Sequence, residues 1–314
     1  EGATEMERAA AQDGWMETMS RAWTGPRPLP VPVVPEVVTL DLLVGEIKMD
    51  GYGPYTAAPI GLDIDDVAPF KLAPSDGPHF FITGAMQSGK TNLLTTWMLS
   101  LAAHMPPKAL HITVVDFREG LLQPLSRLPH VQRFVDNDED FSAALAHLKE
   151  VAEQRKTAMK EARMAAGGVL DEAAWLAGQP THLLVVDDFE SMRQVASSLN
   201  QEELLNLIKA SRGPGIHIVM AGSVDDMGSN TYDSTFKAIA AYKTGMLLGC
   251  RDDNGVFNNV RIAAQGDIPR GTGFFVQRGL ARARVVLALP GTEAKGLLEW
   301  LDRLGEASGQ LQGS

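Results

Sequence analysis

A single cysteine, Cys250, in 314 residues rules out an intrachain disulfide. No apolar run approaches the length of a membrane span, about 20 residues. The seven histidines (His79, His104, His111, His130, His147, His182 and His217) fall at no spacing that suits zinc, which leaves them as structural residues. Positive charge is in deficit: 28 Lys and Arg stand against 39 Asp and Glu, a net of −11. That balance argues against a surface devoted to DNA or anionic lipid, although a local basic groove remains compatible with it. The start is polar and acidic, with neither an initiator Met nor the apolar stretch of a signal peptide, so the chain reads as a piece of something longer.

What is present is ordinary for a globular protein: 45% hydrophobic and 21% charged residues, enough for a sizeable core. Residues 4–23 carry Met6, Ala9, Ala10, Met19 and Trp23 at roughly helical spacing, broken by Gly14 and ended by Gly25-Pro26. Pro26, Pro28, Pro30, Pro32 and Pro35 then follow in quick succession, which makes a stiff, extended spacer. Residues 1–35 are therefore expected to be an interdomain linker, a helix followed by a Pro-rich spacer.

From residue 36 the chain alternates short β-type runs with helical patterns, the mark of an α/β sheet. Strands are expected at 79–83, 110–115, 183–186 and 217–221, and with weaker patterning near 243–248, 272–276 and 283–288. Leu93, Leu94, Trp97, Met98 and Leu101 fall on one helical face. Asn137 or Asp138 caps a long helix reaching about Ala165, with Phe141, Leu145, Leu148 and Ala152 on its buried stripe. Another helix is expected within 191–211, stopped by Gly213-Pro214, and a last one at about 292–304. These place one domain over 36–305 and a tail over 306–314.

Gly84-Ala85-Met86-Gln87-Ser88-Gly89-Lys90-Thr91 matches G-x-x-x-x-G-K-[ST], between an apolar strand and an amphipathic helix. A phosphate chain needs several backbone N–H groups aimed at one point, so the loop must curl where side chains would collide; Gly84 and Gly89 permit that. The helix that follows, beginning with Asn92 in its first turn, adds its unsatisfied N–H groups and the positive end of its dipole. Lys90 is expected to reach the β- and γ-phosphates of ATP, and the Thr91 hydroxyl to ligate Mg²⁺. The loop reads as the site for ATP and Mg²⁺.

Leu183–Val186 would deliver Asp187 to the edge of the sheet where ligands gather, there to hold Mg²⁺ through water. Asp188 follows it. Many motor ATPases carry Glu there to activate the attacking water; Asp is one methylene shorter, so Asp188 is either a slow base or a ligand behind the metal shell. Two arginines are candidates for contacts across a subunit interface. Arg118, in Asp116-Phe117-Arg118-Glu119-Gly120, would meet a phosphate, a neighbouring subunit or a surface carboxylate. Arg212, before Gly213-Pro214-Gly215, would act as an arginine finger or cap its own helix. Ser223 ends the fourth strand, where a polar residue can sense the γ-phosphate.

Several stretches together resemble the FtsK/SpoIIIE branch of P-loop motors, and within it the ATPase modules of the type VII secretion EccC/EssC family. They are Pro59-Ile60-Gly61-Leu62-Asp63 with Ala68-Pro69; Gly77-Pro78-His79; Gln87 to Leu94; Val115 to Leu122; Val185-Val186-Asp187-Asp188-Phe189; and Arg212-Gly213-Pro214-Gly215-Ile216-His217. The resemblance implies a RecA-like fold, a mostly parallel twisted sheet with helices on both faces. It implies a membrane-anchored parent chain, with this part at the cytoplasmic face of the cell membrane, beside other ATPase modules of the same chain. It also implies assembly into hexamers and recognition of small helical-hairpin secretion substrates through a C-terminal signal. No nucleic-acid partner is expected. Motors of the FtsK kind carry Glu at the position of Asp188 and Gln near Ser223, and this chain has neither, which implies weak or absent hydrolysis. Three other readings stand beside a weakly hydrolytic module: a non-hydrolysing receptor with ATP as a structural ligand, an FtsK-like DNA translocase, and a small-molecule kinase, for which the sequence offers no lid segment.

Overall fold

Side chains along the central strands alternate between two cores. In Thr181–Asp187, Leu183 and Val185 pack on one face of the sheet and Leu184 and Val186 on the other, all at most 1% exposed. A strand buried on both faces reads as a continuous apolar run, which is why such strands were legible as strands. The computed structural model describes residues 4–25, 33–118, 120–211, 213, 215–262, 266–293 and 295–312. Arg212, one of the two candidate arginines, lies outside them, as does most of the Pro-rich spacer.

The described chain divides into two units, Glu1–Val33 and Val34–Ser314. The first holds α1 (Glu5–Ala22). Thr4 and Glu7 form a reciprocal capping box at its start, with Thr4 N–H donating to Glu7 Oε2 at 2.7 Å. Gly14 does not break this helix as the sequence suggested; one glycine costs an exposed helix only about 1 kcal/mol.

The second unit is built on ten strands. In chain order its elements are α2 (Leu40–Val44), β1 (Ala58–Asp63), β2 (Pro69–Leu72), β3 (His79–Gly84), α3 (Lys90–His104), β4 (Leu110–Asp116), β5 (Val131–Val135), α4 (Asp138–Ala165), α5 (Glu172–Ala177), β6 (Thr181–Asp187), α6 (Phe189–Val195), α7 (Ser198–Ala210), β7 (Ile216–Ser223), α8 (Val224–Ser229), α9 (Ser234–Ala240), β8 (Gly245–Leu248), β9 (Thr272–Gln277), β10 (Leu280–Leu287) and α10 (Gly296–Gln312). The sheet order is β2-β1-β10-β9-β8-β3-β7-β6-β4-β5. The half from β8 to β5 is parallel, and the half from β8 to β2 is antiparallel.

Helices cover both faces. α3 is buried almost all round, with Leu93, Leu94, Trp97, Met98 and Leu101 each at most 1% exposed, and it shares its core with Trp300, Leu301 and Leu304 of α10. On the other face α4 presents Phe141, Leu145, Leu148 and Ala152 to Leu204, Leu207 and Ile208 of α7. Asn137 caps α4 by accepting from Asp140 N–H at 2.9 Å, and Asp138 is tied to α7 through Ser197 N–H at 2.9 Å. The single helix expected within 191–211 is two, because Ser197 starts a fresh cap for α7 by accepting from Asn200 N–H. The last helix runs to Gln312, so most of the expected tail is helical, with Leu304 and Ser308 buried. Among the described residues, no helix is long and apolar enough to cross a membrane.

Candidate nucleotide site

β3 ends in the middle of the sheet, between β7 and β8, and the chain turns there into α3. Gly84 permits the turn. A Cβ at this position would lie 2.1 Å from the Leu248 carbonyl oxygen of β8. Ala85 N–H donates to that same oxygen at 3.0 Å, pinning the loop to the sheet. Met86 stands 85% exposed at the tip. Gln87 takes φ 56° and Gly89 φ 105°, so the loop curls twice through the left-handed region. Ser88 is buried beneath the curl, and its carbonyl accepts from Gly271 N–H at 3.2 Å. The loop and the first turn of α3, Met86 to Asn92, thus line a hollow.

Lys90 folds over this hollow, its ammonium 2.8 Å from the Ala85 carbonyl and 3.4 Å from that of Gly84. Burial pulls its pKa down, against the nearby Asp187, Cys250, Asp188 and Asp226. Thr91 Oγ1 donates to Asp187 Oδ2 at 3.0 Å. Asn92 turns aside: its amide donates to the Ala288 carbonyl at 2.9 Å, beside Thr96, which donates to the same oxygen. Its side chain therefore fixes α3 to the segment after β10.

β6 lies one strand beyond β7 and brings Asp187 and Asp188 to the same edge. Burial pushes the Asp187 carboxyl up to about 6, with Asp116 and Asp188 adding to it and Thr91 and Lys90 opposing. Asp188 differs in kind. Its backbone sits at φ 64°, ψ 88°, a costly conformation for a residue with a Cβ, and its side chain caps α6. Oδ2 accepts from Ser191 Oγ at 2.8 Å and Oδ1 from Ser191 N–H at 3.3 Å. Arg118 Nη1 donates to Oδ2 at 2.9 Å. Burial alone would raise the Asp188 pKa, but the bonds from Ser191 and Arg118 outweigh it and hold the group below the usual carboxylate value.

Asp116, at the end of β4, organises the loop that carries Arg118. Its carboxylate accepts from the N–H groups of Arg118, Gly120 and Leu122 at 3.1–3.3 Å. Ser223 caps α8, accepting from Asp226 N–H at 3.1 Å. Met86 to Asn92, Asp116, Arg118, Asp187, Asp188, Ser223 and Asp226 line one open cavity of about 570 Å³. The lining holds four carboxylates (Asp116, Asp187, Asp188, Asp226) against two cations (Lys90, Arg118). An anionic ligand entering such a cavity needs a divalent cation with it. The Thr91 and Asp187 oxygens, 3.0 Å apart, are the hard oxygen donors that Mg²⁺ takes, directly or through water. The residues present therefore fit Mg²⁺ and a phosphate chain.

Residues 55–174 match the model of the FtsK/SpoIIIE family. The match spans the loop, α3 and Arg118, and stops before Asp187. The chain is 27% identical over 270 residues to the ESX secretion system protein EccC of Thermomonospora curvata, covering 84% of this chain and 19% of that protein. It is 24% identical over 259 residues to the DNA translocase FtsK of Corynebacterium efficiens, covering 76% and 27%. Among solved structures, ATPases 2 and 3 of EssC from Geobacillus thermodenitrificans superpose with a TM-score of 0.68 at 19% identity, over 89% of this chain and 53% of that one. Thermomonospora curvata EccC (ATPases 2 and 3), solved in complex with a signal sequence peptide, gives 0.65 at 24%, over 88% and 47%. The chain spans about a fifth of its EccC relative and about a quarter of its FtsK relative. Its fold is similar to those of the EccC and EssC ATPase domains.

The sequence pointed to the loop, Asp187, Asp188 and Arg118, and the fold gathers them in one cavity. It missed what Asp188 is bonded to. Arg118 and Asp188 are 70 residues apart, and only the adjacency of β4 and β6 brings them together. Asp226 was missed as well; its place in the first turn of the helix after β7 was the available signal.

Proposed function

We propose that this chain is an ATP-binding module of a type VII secretion ATPase of the EccC/EssC kind, with weak or absent hydrolysis of its own. The observation that carries the reading is the meeting of Thr91 and Asp187 at 3.0 Å in the cavity closed over by Lys90. Gly84 to Thr91 and the first-turn N–H groups of α3 would hold the phosphates, Lys90 the β- and γ-phosphates, and Thr91 with Asp187 the Mg²⁺. The metal supplies charge neutralisation at the phosphates. Asp188 supports the weak-hydrolysis part: its carboxylate accepts twice from Ser191, which lowers its pKa and makes it a poor acceptor for a proton from water.

The module works beside other ATPase modules of a longer, membrane-anchored chain on the cytoplasmic face, assembles into hexamers, and helps recognise helical-hairpin secretion substrates through a C-terminal signal. Support for this comes from the EccC and EssC likenesses, and from the signal peptide bound to the Thermomonospora protein. Nucleotide binding and turnover measured side by side test the reading: Mg-ATP should bind with slow turnover, and failure to bind would contradict it.

The FtsK relative supports a second reading, a DNA translocase motor. The net charge of −11 weighs against it. Salt-dependent DNA binding by the chain would favour the translocase over the secretion module.

A further inference from the structure

Arg118 and Asp188 approach the cavity from the ends of β4 and β6, and both line it together with Lys90, Thr91 and Asp187. We infer that Asp188 and the terminal phosphate of a nucleoside triphosphate compete for Arg118, so that this arginine distinguishes a bound triphosphate from a diphosphate. The inference rests on the reading of the loop as a nucleotide site.

Three observations carry it. The backbone under Arg118 is fixed by Asp116, while its side chain is 66% exposed at the cavity. The arginine's side of the pair is open to water, which screens and weakens it. Asp188 does not depend on Arg118: Ser191 already donates to it twice, at 2.8 and 3.3 Å, so its cap on α6 survives the departure of the guanidinium. A terminal phosphate offers more charge than a carboxylate and three oxygens to the planar guanidinium fork, which favours the exchange. A diphosphate held by the same loop lacks that group, and Arg118 stays on Asp188. Leu121, exposed at the cavity rim three residues on, would carry the change to the surface.

The test is calorimetry on the full chain with Mg-ADP and a slowly hydrolysed ATP analogue, for the wild type, Arg118→Ala and Asp188→Asn. Arg118→Ala should weaken the triphosphate about tenfold and leave ADP unchanged. Asp188→Asn should strengthen the triphosphate and leave ADP unchanged, since the Asn oxygen still accepts from Ser191 N–H while its charge no longer competes. The opposite signs are the signature, because a merely structural ion pair would make the two variants behave alike. Arg118→Gln, which keeps the length of the side chain, replaces the Ala variant if that fails to fold. An unchanged triphosphate-to-diphosphate ratio in both variants overturns the inference and leaves the nucleotide site standing, as does a loss of triphosphate affinity in Asp188→Asn. A wild-type chain that binds neither nucleotide overturns the nucleotide site, and this inference with it.

Discussion

The Thr91 hydroxyl donates to the Asp187 carboxylate at 3.0 Å, joining the first turn of α3 to the end of β6 across an intervening strand. In the proposed site this pair faces the metal, while Asp188 faces Arg118. Asp187→Asn should therefore weaken Mg²⁺-dependent ATP binding, and Asp188→Asn should not. The measurement is ATP affinity with and without Mg²⁺ for each variant. Equal losses in the two would contradict the separate roles.

Hydrolysis gives a second expectation. The chain should turn over ATP slowly, and Asp188→Glu should be faster, since a longer side chain reaches past the Ser191 and Arg118 contacts. Loss of the Asp cap on α6 should cost about 1 kcal/mol of stability. General-base assistance is worth about 10²–10⁴-fold where geometry is right. A neighbouring subunit's arginine can add about 10³–10⁵-fold, so the comparison belongs on an assembled form as well as the monomer. A vigorous wild-type ATPase that the Glu variant does not exceed would reclassify the module as a working motor.

Acid should unfold the protein from the edge opposite the site. His79, His217, His182 and His111 stand at the N-terminal ends of four adjacent parallel strands, β3, β7, β6 and β4. Burial holds His182 down to about 3, with Arg155, His111 and His147 adding to the shift. Burial likewise holds His217 and His130 at about 4, against hydrogen bonds to backbone carbonyls, with Arg155 beside the first and His111 beside the second. An unfolded histidine takes its proton near pH 6.5. Stability from these groups is therefore fully present above pH 6.5 and is lost as pH falls from 6.5 towards 4, where the unfolded chain binds protons the fold excludes. Denaturant unfolding measured from pH 7.5 to 4.5 should show a falling free energy, with a shallower slope in His182→Gln. A flat profile would contradict the burial of neutral histidines.

Much of the fold was legible because its signals are local. β3, β4, β6 and β7 are apolar runs, and Phe141, Leu145, Leu148 and Ala152 mark one face of α4 at helical spacing. β1, β2 and β5 gave no such signal. β1 contains Pro59 and Gly61, β2 begins at Pro69 and is half exposed, and β5 mixes Gln132 and Arg133 with its apolar residues at the sheet's edge. At the site, the loop is a contiguous motif, so its position could be read directly. The Asp188–Arg118 pair and the turning of Asn92 to Ala288 depend on strand order and on β10 lying near α3, which no spacing in the sequence encodes.

Lys90→Ala tests the account most directly. The ammonium lies against the Ala85 and Gly84 carbonyls and spans the hollow, contributing nothing to either core. Calorimetry with Mg-ATP, beside a thermal unfolding curve, should show a variant that folds like the wild type and no longer binds the nucleotide. A folded Lys90→Ala variant with undiminished affinity would contradict the assignment of Gly84–Thr91 as the phosphate-binding loop.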